Sequence, residues 1–390
     1  MKINRNQFLL WFGAAISIAE IITGTLIAPL GLFKGSLAII IGHLIGAFLL
    51  LLPASFIGGQ RQQNAIELTR PVYGATGVLL FSILNVVQLI GWTGVMIANA
   101  VQSLQQLKLL KTSYLLDLLI IAGLIIGWLA LKTQVFFRLN NLIVLLLVVA
   151  CAGLFWQLGV LPHNPQQLVT QHISFGAAVE LSIAMALSWL PLIADYTQHS
   201  KKPLTLSLWS TSGYFFGSLG MFFLGFLTVI LTGYTDFNQF LAATHYGVIV
   251  LFIILFSTIT TTFLDAYSAG INLKNIFPNW RLTPNTLGIG VTLLGLGLAS
   301  STQLFKYELF LSLISATFTP LYTVVFFNLL YRRLPKWLNF SCWLMGTVGY
   351  YGLQRFDFPL GTTTLLMLCI IGALFVSSYV TRTIHQSAQP

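Results

Sequence analysis

The chain has 390 residues, of which 56% are hydrophobic and only 7% charged. A soluble globular chain covers its surface with about 25% charged residues, so this one cannot solvate itself in water and belongs in lipid. The formal net charge of +10 follows the loops between apolar runs, as membrane topology requires, and is not read as nucleic-acid binding.

Crossing hydrocarbon takes about 20 apolar residues per helix. In chain order such runs fall near 8–30, 35–57, 73–103, 113–131, 139–160 and 172–194. The second half gives 206–232, 246–273, 285–303, 308–330, 338–353 and 361–381. The expectation is twelve transmembrane helices in an all-α polytopic protein. The first run contains Glu20 and is closed by no small-x-small site, so it reads as a retained helix rather than a cleaved signal. With the N-terminus inside, fourteen of the 19 basic residues fall on the cytoplasmic side and five outside, which places both termini in the cytoplasm. Cys151, Cys342 and Cys369 lie inside apolar runs with no ligand spacing, so neither a disulfide frame nor a metal site is expected.

An odd number of spans per repeat inverts the second copy, and five plus five fits this chain. Residues 1–160 form the expected first repeat, 161–330 the second, and 331–390 two further helices and a tail. Phe12-Gly13-Ala14-Ala15-Ile16 in helix one is echoed by Phe175-Gly176-Ala177-Ala178-Val179 in helix six. Both helices carry polar interruptions: Thr23 and Gly24 in the first, and Ser182 with a later Pro191 in the sixth. Such residues mark places where a membrane helix unwinds, freeing carbonyls such as that of Ile22 for an ion. A kinked but continuous helix is the alternative.

Intramembrane acids are costly unless paired or wet, and Glu20, Glu180 and Asp265 fall well inside spans. Helix three sets Asn85, Gln88 and Trp92 on one face, which suits hydrogen bonding and stacking of a planar heterocycle or, equally, helix packing. Helix eight carries a hydroxyl ladder that includes Thr260 and Thr261; with freed carbonyls it offers oxygen ligands for sodium. Glu180 is the favoured carboxyl for contact with a polar ligand because Ser182 and Trp189 share its helix, with Glu20 as its rival. There is no HExxH, GxSxG, CxxC or Walker loop, so an enzyme is not expected and no cofactor beyond a coupling cation, sodium or proton, is needed. Secondary transport of a small solute is the favoured function. A membrane scaffold or receptor is the alternative of another class, and no protein partner is required.

SIAEIITGTLIAPLG, NVVQLIGWTGVMIANA, LSWLPLIADYTQHSKKP and TTTFLDAYSAGINLKNI together resemble the nucleobase–cation symporters of the cytosine permease and hydantoin transporter type. Within that family the sequence looks most like the hydroxymethylpyrimidine-transporter branch called CytX. The resemblance implies a LeuT-type bundle in a bacterial inner membrane that imports a small planar pyrimidine, a thiamine precursor foremost, on a cation gradient. It places Trp92 at the aromatic that stacks on the substrate ring, Trp189 near the opposite ring face, and Thr260 and Thr261 at the hydroxyl ligands of sodium. Glu20 and Asp265 depart from the cytosine-type pattern and leave room for another aminated pyrimidine, its amine and ring nitrogen gripped by Glu180 or Glu20; a cytosine-, purine- or hydantoin-type nucleobase permease is the alternative.

Overall fold

Each long helix of this chain turns aliphatic side chains outward and polar ones inward. Leu145, Val149, Leu294, Met345 and Val376 are more than half exposed, whereas Glu20, His43, Asn85, Gln88 and Asp265 are buried. That inversion suits a bundle whose solvent is hydrocarbon and whose backbone polar groups are satisfied within helices. The computed structural model describes residues 2–106, 112–131, 133–160, 172–244, 247–301 and 307–387.

The helices are α1 (Lys2–Ala15), α2 (Ile18–Leu26), α3 (Leu32–Leu44), α4 (Leu52–Arg61), α5 (Arg70–Gln106), α6 (Tyr114–Leu129), α7 (Thr133–Val160) and α8 (Phe175–Ser188). They continue as α9 (Pro203–Thr232), α10 (Phe237–Ala243), α11 (Gly247–Ile276), α12 (Pro284–Ser300), α13 (Tyr307–Leu330), α14 (Lys336–Leu353) and α15 (Gly361–Ser387). A π-helical stretch, Ile45–Leu51, joins α3 to α4. Packing sets α9 along α1 and α2, α11 along α5 and α12, and α3 along α8.

The expectation of twelve transmembrane helices is corrected here. Among the described residues six helices are long and apolar enough to cross a membrane: Leu32–Arg61, Glu67–Gln105, Gln134–Val160, Pro203–Thr232, Glu308–Leu330 and Gly361–Thr381. A seventh is added if the bent pair Asn4–Ala15 and Ile18–Leu30 counts as one span. Three of the apolar runs are longer than the helices within them. The runs at 113–131, 172–194 and 285–303 hold α6, α8 and α12, only 16, 14 and 17 residues long, short of the roughly 20 that hydrocarbon demands. The run at 338–353 holds α14, which Lys336, Asn339, Tyr350 and Tyr351 make too polar. The five-plus-five inverted repeat built on twelve spans is set aside with the count. The expected span limits at 246 and 303 and the boundary at 161 lie outside the described residues, as do Lys108, Lys111, Lys132 and Lys306 among the topology-setting basic residues.

Candidate functional site

The break between α1 and α2 organises the centre. The two helices meet at 56°. Ser17 stands at the joint in extended conformation (φ −143°, ψ 158°), and its hydroxyl caps α2 by accepting the Glu20 amide hydrogen at 3.3 Å. The sequence Ser17-Ile18-Ala19-Glu20 has the spacing of a capping box, but the Glu20 side chain bonds elsewhere. Thr23 and Gly24, the expected break, lie inside α2. Thr23 donates to the Ala19 carbonyl at 2.7 Å, one helical turn back. The unwinding therefore falls at Ile16–Ser17, where a cap is available, and not at the threonine–glycine pair.

Carbonyls exposed by this break face α11. Ser257 donates to the carbonyls of Gly13, at 3.1 Å, and Ile16, while Thr261 donates to Ala14 at 3.0 Å. Thr260 instead bonds within its own helix, to the Ser257 carbonyl at 2.8 Å. The Ile22 carbonyl is occupied by the Thr25 hydroxyl at 2.7 Å. Of the expected ion ligands, then, Thr261 stands at the break, Thr260 is one residue off it, and Ile22 lies a turn and a half further along α2. Ser257, another hydroxyl of the same ladder, joins Thr261 because the two are four residues apart on one helical face.

A second discontinuity ends α8 at Ser188. Trp189 caps the helix, Pro191 has no amide hydrogen to continue it, and the chain resumes as a 3-10 turn over Ile193–Tyr196. The carbonyls left over are taken by α5: Gln88 Nε2 donates to Ser188 at 2.8 Å and Asn85 Nδ2 to Pro191 at 3.1 Å. The amide oxygens of both side chains are buried and have no hydrogen-bond partner among the described residues. Ser182, expected at the break, lies within α8 and donates to the Ala178 carbonyl at 3.3 Å. Asp195, beyond the break, accepts the Ala65 amide hydrogen at 2.9 Å and so pins the turn to the end of the α4 connection.

Between the two breaks lies a cavity of about 20 Å³ walled by Ser17, Ala19, Glu20, Trp92, Met96, Met185, Ser188, Trp189, Thr261 and Asp265. It brings together Trp92, Trp189, Glu20, Asp265 and Thr261, five of the residues singled out in the sequence, from α2, α5, α8 and α11. The volume holds about one water and no heterocycle, so a ring enters only if the helices part. Trp92 packs edge-on against Phe310 (centroids 5.3 Å apart), and Trp189 edge-on against Trp11 (5.5 Å). The two carboxyls differ. Glu20 accepts from Tyr214 at 3.2 Å and Ser218 at 2.7 Å. Asp265, only 4% exposed, accepts no hydrogen bond from any described side chain or amide. A buried carboxyl without a partner is costly to hold ionised.

Glu180 is elsewhere. It accepts from the Tyr350 hydroxyl at 2.7 Å, the Thr363 amide at 2.7 Å and the Thr363 hydroxyl at 2.8 Å, tying α8 to α14 and α15. It lines a separate cavity of about 440 Å³ with His172, Glu308, Arg355 and Asp357. Nine residues along the helix axis, roughly 13 Å, part it from Trp189. Replacing Glu180 by alanine should destabilise the fold by about 1–3 kcal/mol, as three donors lose their acceptor. A thermal melt in detergent measures that loss, and ligand affinity should stay within about threefold of the parent.

A family model for permeases for cytosine/purines, uracil, thiamine and allantoin matches residues 3–334. YxlA of Bacillus subtilis (strain 168), provisionally named a purine-cytosine permease, is 27% identical over 340 residues, covering 80% of this chain and 71% of the relative. The structure of Mhp1, a nucleobase-cation-symport-1 family transporter, in a closed conformation with bromovinylhydantoin bound, superposes with a TM-score of 0.76 at 15% identity, covering 97% of this chain and 92% of Mhp1. A Na+-coupled sialic acid symporter gives 0.66 at 12% identity over 93% and 88% of the two chains. At such identities the two structures speak for the fold alone. The matches favour the cytosine/purine type and give no support to the hydroxymethylpyrimidine branch in particular. From the model match over most of its length, the chain belongs to the family of permeases for cytosine/purines, uracil, thiamine and allantoin, a polytopic membrane protein that is a secondary active nucleobase-type transporter and not an enzyme.

Proposed function

We propose that this protein carries a planar aminated nucleobase of the cytosine or purine class across the membrane, gripping it in the cavity between α2, α5, α8 and α11. The observation that carries the reading is the convergence of Trp92, Trp189, Glu20 and Asp265 on one cavity. Indoles offer flat faces to a heterocycle, and a carboxyl accepts from an exocyclic amine or a ring N–H. Gln88, with its free amide oxygen turned into the protein beside Ser188, supports the same wall. The carboxyl pair also suits a hydroxymethylpyrimidine, whose exocyclic amine sits beside a ring nitrogen; that narrower substrate belongs in the same trial.

A competition series tests the proposal: cytosine, adenine, hydroxymethylpyrimidine and uracil against the parent, Glu20→Gln and Asp265→Asn proteins. The aminated rings should lose about tenfold or more in affinity in at least one carboxyl variant, and uracil less. Equal changes for every ring would remove the two acids from recognition.

Coupling to a cation is part of the proposal. The carbonyls of Gly13, Ala14 and Ile16 and the hydroxyls of Ser257 and Thr261 supply five oxygens at the α1–α2 break, a donor set that suits sodium. With sodium as driver, Thr261→Ala should weaken its apparent affinity about tenfold while the protein stays folded. Uptake by the parent that ignores sodium would return Thr261 to helix packing. We further propose cytoplasmic termini, which protease protection of tagged ends in sealed vesicles checks.

A further inference from the structure

Behind the cavity wall, three side chains from three helices are bonded in series. Glu20 Oε2 of α2 lies 2.7 Å from Ser218 Oγ of α9, and that oxygen lies 2.8 Å from Nε2 of His43 on α3. The other imidazole nitrogen, Nδ1, is 2.8 Å from the Ile39 carbonyl. Tyr214 donates to the second Glu20 oxygen at 3.2 Å. Glu20, Ser218, His43 and Tyr214 are 1, 0, 1 and 1% exposed. Gly24 and Gly225 let α2 and α9 approach backbone to backbone, which brings Ser218 within reach of both partners.

The protons in this chain are countable. A carbonyl only accepts, so Nδ1 of His43 carries a hydrogen toward Ile39. Ser218 has one hydrogen to share between its two near neighbours, Glu20 and His43, the Tyr214 hydroxyl lying further off at 3.5 Å. In one satisfied arrangement a protonated Glu20 donates to Ser218, and Ser218 donates to Nε2 of a neutral imidazole. In the other, Ser218 donates to the Glu20 carboxylate and accepts from Nε2–H of an imidazolium. Each holds the same number of protons. They interconvert when the Glu20 proton passes to Ser218 Oγ while the Ser218 proton passes to His43 Nε2. Withdrawing one proton leaves two acceptors facing a single hydroxyl hydrogen in a dry interior, an arrangement that buried polar groups avoid.

We infer that the Glu20–Ser218–His43 chain is a one-proton site through which substrate movement is linked to proton entry. The inference rests on the transporter reading above. Glu20 is the member that reaches the cavity, so a substrate that donates an N–H to it favours the carboxylate and sends the proton to His43. Other groups that titrate nearby are few. α9 supplies Tyr214, α11 supplies Asp265 across the cavity, and Glu180 of α8 is committed to Tyr350 and Thr363. The faces of α5 and α8 at the cavity carry Trp92, Met96, Met185, Ser188 and Trp189, none of which titrates in the working range.

Proteoliposomes loaded with a pH-sensitive dye, with equal sodium inside and out so that only the proton gradient drives, provide the test. Labelled cytosine entering through the parent protein should carry protons into the lumen and should accumulate under an inward proton gradient. Ser218→Ala and His43→Gln, which lie outside the cavity wall, should keep cytosine counterflow within about threefold of the parent while gradient-driven accumulation falls at least about fivefold. Cytosine entry without protons in the parent overturns the inference, and so do variants that accumulate like the parent. A parent without counterflow of any nucleobase defeats the transporter reading itself, a result distinct from counterflow that has lost its coupling.

Discussion

Gly24→Val should leave no folded protein, because α2 meets the backbone of α9 at this residue. A Cβ on Gly24 runs into the Phe222 backbone of α9, and one on Gly225 into the Ile21 carbonyl of α2. Neither obstacle is a side chain that can rotate away. Membrane helices associate by close packing and buried hydrogen bonds, since lipid is as apolar as their own surfaces. Forcing α2 from α9 removes both and breaks the Tyr214 and Ser218 bonds to Glu20. Overpacking alone costs about 1–3 kcal/mol, and the stranded carboxyl adds a comparable amount. Gly220, also on α9, has open space where its Cβ would sit, so Gly220→Ala should melt at or above the parent temperature. Size-exclusion profiles and melts of the two variants check the contrast. A monodisperse Gly24→Val protein with parent stability would mean that α2 and α9 do not pack as described.

Trp92→Ala should weaken substrate affinity by roughly 5- to 150-fold. Trp92 stands in the cavity wall and rests edge-on against Phe310. Stacking of a base on an aromatic ring is worth about 1–3 kcal/mol, or roughly 5- to 150-fold in affinity. Trp92→Phe, which keeps a flat face, should retain affinity within about fivefold. Equilibrium binding of labelled cytosine to purified parent and variants measures the difference. If alanine and phenylalanine variants bind as the parent does, Trp92 only fills the bundle.

Composition was enough to read the membrane class, since 7% charged residues leave no aqueous alternative. Span number was harder. An apolar run counts residues that the helix does not use, as at Trp189–Pro191, where the run continues and α8 has stopped. The first helix break was legible in kind but misplaced, because the Thr23–Gly24 pair looks like a weak point while the capping serine at Ser17 is the operative one. The spacing Ser17 to Glu20 could have found it. Gly24 is present for close approach to α9 and not for unwinding, a distinction that depends on a neighbour about 200 positions away. Glu20 and Glu180 looked equivalent for the same reason. Only the fold delivers Ser218 and Tyr214 to one and Tyr350 and Thr363 to the other. His43 sits in an apolar run with no motif around it, and its partner Ser218 is 175 residues on. Periodicity carries no information about such contacts.

Labelled cytosine uptake into proteoliposomes of purified, monodisperse protein, under imposed inward sodium or proton gradients, addresses the central claim most directly. Concentrative uptake should appear with at least one gradient, collapse when an ionophore dissipates it, and be competed by unlabelled nucleobase. Folded protein that accumulates no nucleobase under either gradient would contradict secondary active transport by the cavity between α2, α5, α8 and α11.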